Sequence, residues 1–191
     1  MVAIEADLIR TLGAVVKVFD ATGVRYALIG GVAKAAWGRS RATRDIDIAL
    51  SIDLVQLAHL KRQLVNAHFV VVDSVGGDAS DRRPDIFVAR DPSGVPVDVL
   101  VAKTPFEEDA VTRSVSVELL GHTVRVVTAE DLVFYKLLAG RPRDRDDILD
   151  VVTTQLSSDR AFDWNHLERL AADWDVEAAL KDVRRSVGLE E

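Results

Sequence analysis

The most informative absence in this 191-residue sequence is that of cysteine. A chain without thiols forms no disulfide bonds and carries no thiol nucleophile, and its composition is compatible with a cytoplasmic location. The four histidines show no ligand spacing, so we expect no zinc site. No apolar run approaches the roughly 18 residues of a membrane span. The N-terminal segment contains Glu5, Asp7 and Arg10, unlike a secretory signal. We therefore expect a cytoplasmic protein with no membrane partner.

Basic residues are in the minority, with 24 Lys and Arg against 31 Asp and Glu and a formal net charge of −7. A general nucleic-acid binder is usually basic, so the charge argues against that class, although docking of RNA on a local basic surface stays open. The content of 48% hydrophobic and 29% charged residues is ordinary for a globular protein. We predict one domain over residues 1–191, with a core at about 24–150 and a helical C-terminal extension at about 151–191.

The candidate functional residues concentrate in the segment Tyr26–Leu50. A short apolar run leads into Gly30 and Gly31, and the later run D-I-D-I alternates polar and apolar residues, as a strand with one buried face does. Asp45 and Asp47 then project from the same face, with Cα atoms about 6.5–7 Å apart. Adjacent carboxylates repel each other unless a cation lies between them. Mg²⁺ is the obvious candidate, because it takes hard oxygen ligands and shares them with phosphates.

The glycine pair stands between a predicted strand and an alanine-rich segment that can start a helix. Bare backbone N–H groups at a helix N-terminus bind anions. A side chain at Gly30 or Gly31 would block the close approach of a phosphate. The segment therefore offers a phosphate cradle followed by a metal site.

These residues resemble the signature of the nucleotidyltransferase superfamily related to DNA polymerase β. The finer pattern GGxAxxxxGxxRxTxDID resembles the branch that contains AbiEii-like toxins of bacterial toxin–antitoxin systems and their uncharacterised relatives. It is carried here by Gly30, Gly31, Ala33, Gly38, Arg41, Thr43, Asp45, Ile46 and Asp47. The resemblance covers about residues 24–150. It implies an α+β nucleotidyltransferase fold, with a small mixed β-sheet flanked by helices and a helical C-terminal part. It also implies transfer of a nucleoside monophosphate from an NTP with one or two Mg²⁺ ions.

Asp98 interrupts an otherwise apolar predicted strand, V-P-V-D-V-L-V. A carboxylate in such a place needs a partner, because an unpaired buried charge is costly. The resemblance implies that a third acid lies on a strand beside the first two and activates the acceptor hydroxyl, and Asp98 fits that position. We therefore predict that Asp45, Asp47 and Asp98 form a metal-binding catalytic triad. The alternative is a surface D-x-D pair and an unrelated polar residue.

Two further elements carry family resemblance near the C-terminal end of the core. Lys136 lies in an apolar helix, where relatives carry a lysine that points at the nucleotide phosphates; its head could instead reach water. The segment G-R-P-R-D-R-D-D resembles an element of AbiEii-like relatives, with Arg143 in a lysine position and Asp144 and Asp147 at its acids. Asp144 could cap the next helix and pair with Arg41 or Arg143, or act directly in catalysis.

The arginine-rich turn before Asp45 supplies two more candidates for nucleotide binding. Arg41 could contact phosphate in a bidentate manner or brace a carboxylate of the site. Thr43 could hydrogen-bond the triphosphate or merely cap the turn.

The remaining periodicity and turn signals predict a mixed chain of helices and strands. We predict helices at 3–22, 53–66, 128–139, 144 to beyond 150, 163–172 and 176–187, and strands at 26–29, 45–50, 69–73, 85–89, 95–102, 115–120 and 123–127. Leu54, Leu57, Leu60 and Leu64 form the expected buried stripe of the second helix.

The leading functional hypothesis is a magnesium-dependent nucleotidyltransferase of the AbiEii-like toxin branch, with the 3′ end of tRNA as acceptor and a cognate antitoxin as partner. An alternative keeps the chemistry and changes the acceptor to a small molecule of the aminoglycoside type or to a protein hydroxyl. A cationic small molecule would suit the acidic charge. A third hypothesis is a non-catalytic module that binds a nucleotide or a partner protein.

Overall fold

The computed structural model describes residues 2–77, 80, 81, 83, 85–158 and 161–190, with side chains from residue 5 onward except at 73 and 74. Helices and strands alternate without long connections. The elements are α1 (Val2–Thr22), β1 (Arg25–Ile29), α2 (Gly30–Trp37), β2 (Ile46–Ser51), α3 (Leu54–Asn66), β3 (Val70–Val75), β4 (Ile86–Arg90), β5 (Pro96–Val101), α4 (Pro105–Arg113), β6 (Val115–Leu119), β7 (His122–Val126), α5 (Ala129–Ala139), α6 (Pro142–Leu156), α7 (Trp164–Asp173) and α8 (Glu177–Ser186).

The seven strands form one mixed sheet in the order β3-β4-β5-β2-β1-β7-β6. β2 pairs antiparallel with β1 and parallel with β5, and two strands, β3 and β4, lie between β2 and β5 along the chain. The hairpins β4–β5 and β6–β7 are antiparallel, as their turn sequences predict. The α+β fold with a mixed sheet is therefore confirmed, and the sheet is larger than expected.

Helices cover the two faces of the sheet unequally. On one face, Phe19 of α1 contacts Tyr26 of β1, and α3 packs beside α1. On the other face, Ser51 of β2 donates a hydrogen bond to Glu108 of α4, and α2 and α5 lie against each other nearby. Asp47 shares the face of Ser51, four residues along β2, because every second side chain of a strand projects to the same side.

Side-chain caps explain where several helices begin. Asp53 accepts a hydrogen bond from the backbone N–H of Gln56 and starts α3, as predicted. The prediction that Leu54 belongs to the buried stripe is wrong, because this first residue of the helix is 44% exposed, whereas Leu57, Leu60 and Leu64 are buried. Helix α4 was not predicted; Thr104 caps it by accepting from the N–H of Glu107, whose carboxylate accepts from the N–H of Thr104.

The C-terminal helices α7 and α8 pack against α5 and α6. Helix α6 crosses the boundary at residue 151, and α7 contacts α5. Leu167 of α7 and Leu180 of α8 belong to the same cluster of buried apolar residues as the strands. No helix in the described part of the chain combines the length and apolar character needed to cross a bilayer.

Candidate active site

Three carboxylates from separate parts of the chain meet on one face of the sheet. Asp47 of β2 and Asp98 of β5 are paired residues of the parallel ladder, and Asp45 immediately precedes β2. One carboxylate oxygen of each residue lies within 4.8 Å of those of the other two. The structure therefore brings together the three predicted triad residues.

The electrostatics of this cluster indicate a site for a cation. Burial and the neighbouring Asp45 and Asp98 carboxylates raise the pKa of Asp47 to about 6, although the N–H of Gly31 opposes the rise. Burial and Asp45 also raise the pKa of Asp98. Both shifts arise because half-buried negative charges lie close together. Three hard oxygen donors with unbalanced charge fit a divalent ion such as Mg²⁺.

The glycine pair permits the chain to pass closely beside this cluster. Gly30 has a φ of +66°, and a Cβ atom there would lie 1.9 Å from Oδ2 of Asp47. A Cβ at Gly31 would lie 2.7 Å from Oγ1 of Thr43. The N–H of Gly31, at the start of α2, donates to Oδ2 of Asp47 at 3.4 Å. Any side chain at Gly30 or Gly31 would thus collide with Asp47 or Thr43, whether or not a phosphate is bound.

Thr43 contacts the triad directly. Its hydroxyl donates to Oδ1 of Asp45 at 2.7 Å. This hydrogen bond fixes one orientation of the Asp45 carboxylate and leaves its other oxygen available. The same hydroxyl also lies 3.4 Å from the backbone carbonyl oxygen of Asp45, a contact within the turn. Thr43 lines the cleft, and its binding of the triphosphate stays a prediction.

Lys136 is buried in an ion-pair network, and its side chain is 6% exposed. Its Nζ atom lies 3.0 Å from Oδ1 of Asp144 and 2.6 Å from Oδ2 of Asp147. Arg41 donates to both oxygens of Asp147, at 3.0 Å from Nε and 3.0 Å from Nη2. The predicted pairing of Asp144 with Arg41 or Arg143 is therefore wrong: Asp144 pairs with Lys136, and Arg41 braces Asp147.

The structure adds a second half to this network that the sequence did not reveal. Lys34 of α2 is buried, with Nζ 2.6 Å from Oδ2 of Asp150 and 3.8 Å from Oδ1 of Asp147. Arg39 contributes its backbone N–H and its Nε to Asp150 at 2.8 and 2.6 Å. Burial opposes ionisation of Asp150, yet the hydrogen bonds from Lys34 and Arg39 hold its pKa at about 2. These contacts attach the turn before Asp45 to α2 and α6.

A cleft of about 610 Å³ opens between the triad and α5. Gly30, Gly31, Arg41, Thr43, Lys136, Arg143, Asp144 and the triad all line it. Arg44, Arg141 and Arg143 are exposed at its rim, and their side chains form no ion pair with the residues that the structure describes. Asp144 also accepts from the backbone N–H of Arg141 at 3.3 Å, which is a capping contact at the start of α6. A second cleft of about 840 Å³ lies at the opposite end of β2, away from the triad.

Comparison with models of protein families identifies the family of this chain. Residues 8–188 match the family described as "nucleotidyltransferase of unknown function (DUF6036)". The chain belongs to this family. The DUF6036 protein is thus a nucleotidyltransferase by family, and the match extends over nearly the whole chain. Comparison with curated proteins finds none that matches.

Solved structures similar to this DUF6036 protein share its fold. Two are structures of the antibiotic-resistance factor ANT(2'')-Ia. The solution structure is 14% identical with a TM-score of 0.62 and covers 95% of this chain and 98% of that one. The complex with adenylyl-2''-tobramycin is 13% identical with a TM-score of 0.60 and covers 90% and 99%. The lincosamide antibiotic adenylyltransferase LnuA, bound to lincomycin, is 13% identical with a TM-score of 0.54 and covers 76% and 96%.

Proposed function

We propose that this protein transfers a nucleoside monophosphate from an NTP, with Mg²⁺ held by Asp45, Asp47 and Asp98, to a hydroxyl group of a macromolecule. The observation that carries the proposal is the convergence of three carboxylates, within 4.8 Å of one another, at the wall of a cleft. Mg²⁺ at these residues would neutralise phosphate charge and lower the pKa of the attacking hydroxyl.

The reaction is an in-line displacement at the α-phosphorus of the NTP. A bond forms between the acceptor oxygen and the α-phosphorus, and the bond from that phosphorus to the bridging oxygen of the β-phosphate breaks. Pyrophosphate leaves, and the acceptor proton is released to water. Positioning and electrostatic stabilisation supply most of the rate enhancement in such reactions.

The chain's own residues position the nucleotide in this proposal. Arg141 and Arg143 are exposed at the rim of the cleft, where both can contact the triphosphate. The charge of Arg141 also acts on Asp47, whose pKa it lowers against the larger effect of burial. Lys136 contributes positive potential from behind the cleft, although its charge is shared with Asp144 and Asp147. Gly30 and Gly31 present backbone without side-chain bulk, and Thr43 orients Asp45.

The resemblance to AbiEii-like toxins makes the 3′ end of tRNA the first acceptor to consider, with a toxin–antitoxin role. The exposed rim arginines support an anionic substrate or acceptor. A cationic aminoglycoside receives less support. Among the described residues that line the cleft, Asp144 is the one acid outside the triad. Because Lys136 already pairs with Asp144, this carboxylate offers little to a cationic acceptor. A non-catalytic module is disfavoured because all three acids are present and grouped.

The test is incorporation of label from α-³²P-labelled NTPs in the presence of Mg²⁺. Purified protein is incubated with total tRNA, with protein extract and with tobramycin, and each acceptor is separated before counting. We expect labelled product from at least one NTP, abolished by EDTA and by Asp98→Asn, and retained by Asp109→Asn, which changes an exposed acid of α4. Absence of label with every NTP and every acceptor class would contradict the proposal.

A further inference from the structure

An aliphatic surface begins directly beside Asp98. Val88 of β4 is the cross-strand partner of Asp98, and Ile86 is the partner of Leu100, two residues along β5. Ile86 also pairs with Val75 of β3. Because paired residues project to the same side of a sheet, these side chains share the face of Asp98. We name Val70, Val75, Ile86, Val88, Pro96 and Leu100 the aliphatic face.

This face is uncovered over the outer strands of the sheet. Val70 is 63% exposed, Val75 65% and Ile86 40%. On β1 and β2 the same side of the sheet is covered by α2 and α4, whereas no helix in the described ranges lies over β3 and β4 on this side. Contiguous exposed aliphatic residues on a folded protein indicate an interaction site.

The position of the face connects it with the acceptor side of the reaction. Val88 is one strand spacing, about 4.8 Å, from Asp98, and β3 is about 10 Å away. Ile86, Val88 and Leu100 line the active-site cleft together with the triad. A molecule that rests on the aliphatic face can therefore place a hydroxyl next to Asp98, the triad acid that pairs with Val88 across the strands.

The chemistry of the face selects among acceptor classes. Interfaces with nucleic acids are strongly basic, and unpaired bases stack on aromatic or arginine side chains. The aliphatic face contains no aromatic residue, and the cation beside it in the ladder is Arg90, which pairs with Val70 and Pro96. A small polar acceptor would leave Val70 and Val75 uncovered. Aliphatic centres with an occasional arginine are typical of protein–protein interfaces.

We propose that the acceptor is a protein, which docks on the aliphatic face and presents a side-chain hydroxyl at Asp98. The inference rests on the proposed nucleotidyltransferase function and replaces tRNA by a serine, threonine or tyrosine hydroxyl. That oxygen forms a phosphodiester with the nucleoside monophosphate, pyrophosphate leaves, and the hydroxyl proton passes to water. Arg90 favours an acidic residue near the modified hydroxyl. The edge strand β3 offers further backbone contacts to the docked protein.

The test uses the purified full chain, α-³²P-labelled NTPs, Mg²⁺ and a soluble extract of the source organism cleared of small molecules. The variant Val70→Gln/Val75→Gln makes the aliphatic face polar at two exposed positions that do not line the cleft. Its matched control, Val55→Gln/Val65→Gln, changes two valines of α3 that are 79% and 56% exposed. We expect label that resists ribonuclease and is removed by protease. It should fall at least about tenfold in the face variant and be unchanged in the control.

Three further results are informative. Binding of an NTP with Mn²⁺ should be equal in both variants, since neither touches the nucleotide side. Label confined to RNA or to small molecules, or protein label reduced equally in both variants, would overturn the inference while leaving the proposed function intact. So would a homodimer in light scattering that only the face variant dissociates. Absence of label in every fraction would instead refute the proposed function, and the inference with it.

Discussion

Replacing Asp47 by asparagine tests the electrostatic account of the triad without requiring any substrate. In the metal-free protein the pKa of Asp47 is about 6 instead of 3.8, because burial and the neighbouring acids oppose its ionisation. The folded state therefore binds this proton more tightly than the unfolded state does. Ionised Asp47 destabilises the fold above pH 6, and the destabilisation disappears as the pH falls towards 3.8.

The magnitude follows from the difference between the two pKa values, which corresponds to about 3 kcal/mol at neutral pH. Solvent relaxation at a half-buried site reduces this figure, so we expect the Asp47→Asn protein to be about 1–3 kcal/mol more stable than wild type in EDTA at pH 7.5. The difference should shrink as the pH approaches 4. Urea unfolding followed by circular dichroism measures it.

Metal should reverse this order of stability. A divalent ion at 100 times its dissociation constant stabilises the wild-type fold by about 2.7 kcal/mol and should barely affect the variant. Asp109→Asn, at an exposed position of α4, is the control and should lie within about 0.5 kcal/mol of wild type under both conditions. An Asp47→Asn protein that is no more stable than wild type in EDTA, or that gains as much from Mn²⁺, would refute the reasoning.

Three other changes have defined outcomes. Gly30→Ala places a Cβ 1.9 Å from the Asp47 carboxylate at a φ of +66°, so it should lower stability by more than 1 kcal/mol and weaken metal binding in calorimetry. Asp150→Asn should cost about 2 kcal/mol at pH 7, and in acid titrations the deficit should fade from pH 4 towards pH 2, because the pKa of Asp150 is about 2 in the folded protein. A deficit that is independent of pH would contradict this cause. Thr43→Val, which removes the hydroxyl that orients Asp45, should lower kcat with little effect on the unfolding midpoint; an unchanged kcat would show that the orientation is immaterial.

The grouping of the triad was predicted from two local signals together with the family resemblance, which implies a third acid on a strand beside the first two. The alternation around Asp47 fixes which side of β2 carries the acid, and the charge at Asp98 within an apolar strand required a polar partner. The pairing of β2 with β5 then brings them into contact. Most helices and strands were likewise visible in periodicity and caps.

The ion-pair network was not predictable from local patterns. Lys34 is the one charged residue of α2, whereas Asp150 is one of several in α6. The burial of both depends on the packing of α2 against α6. For the same reason Lys136 was expected to reach phosphate or water rather than two carboxylates. Helix α4 was missed because its polar sequence has weak periodicity, although its capping residues, Thr104 and Glu107, were a usable signal.

The central claim, that Asp45, Asp47 and Asp98 together hold a divalent ion, is tested most directly by titrating the metal-free protein with Mn²⁺ and following free Mn²⁺ by electron paramagnetic resonance. The account predicts saturable binding to the wild-type protein that is lost in Asp45→Asn, Asp47→Asn and Asp98→Asn and kept in Asp109→Asn. Binding that is unchanged in the three triad variants would contradict it.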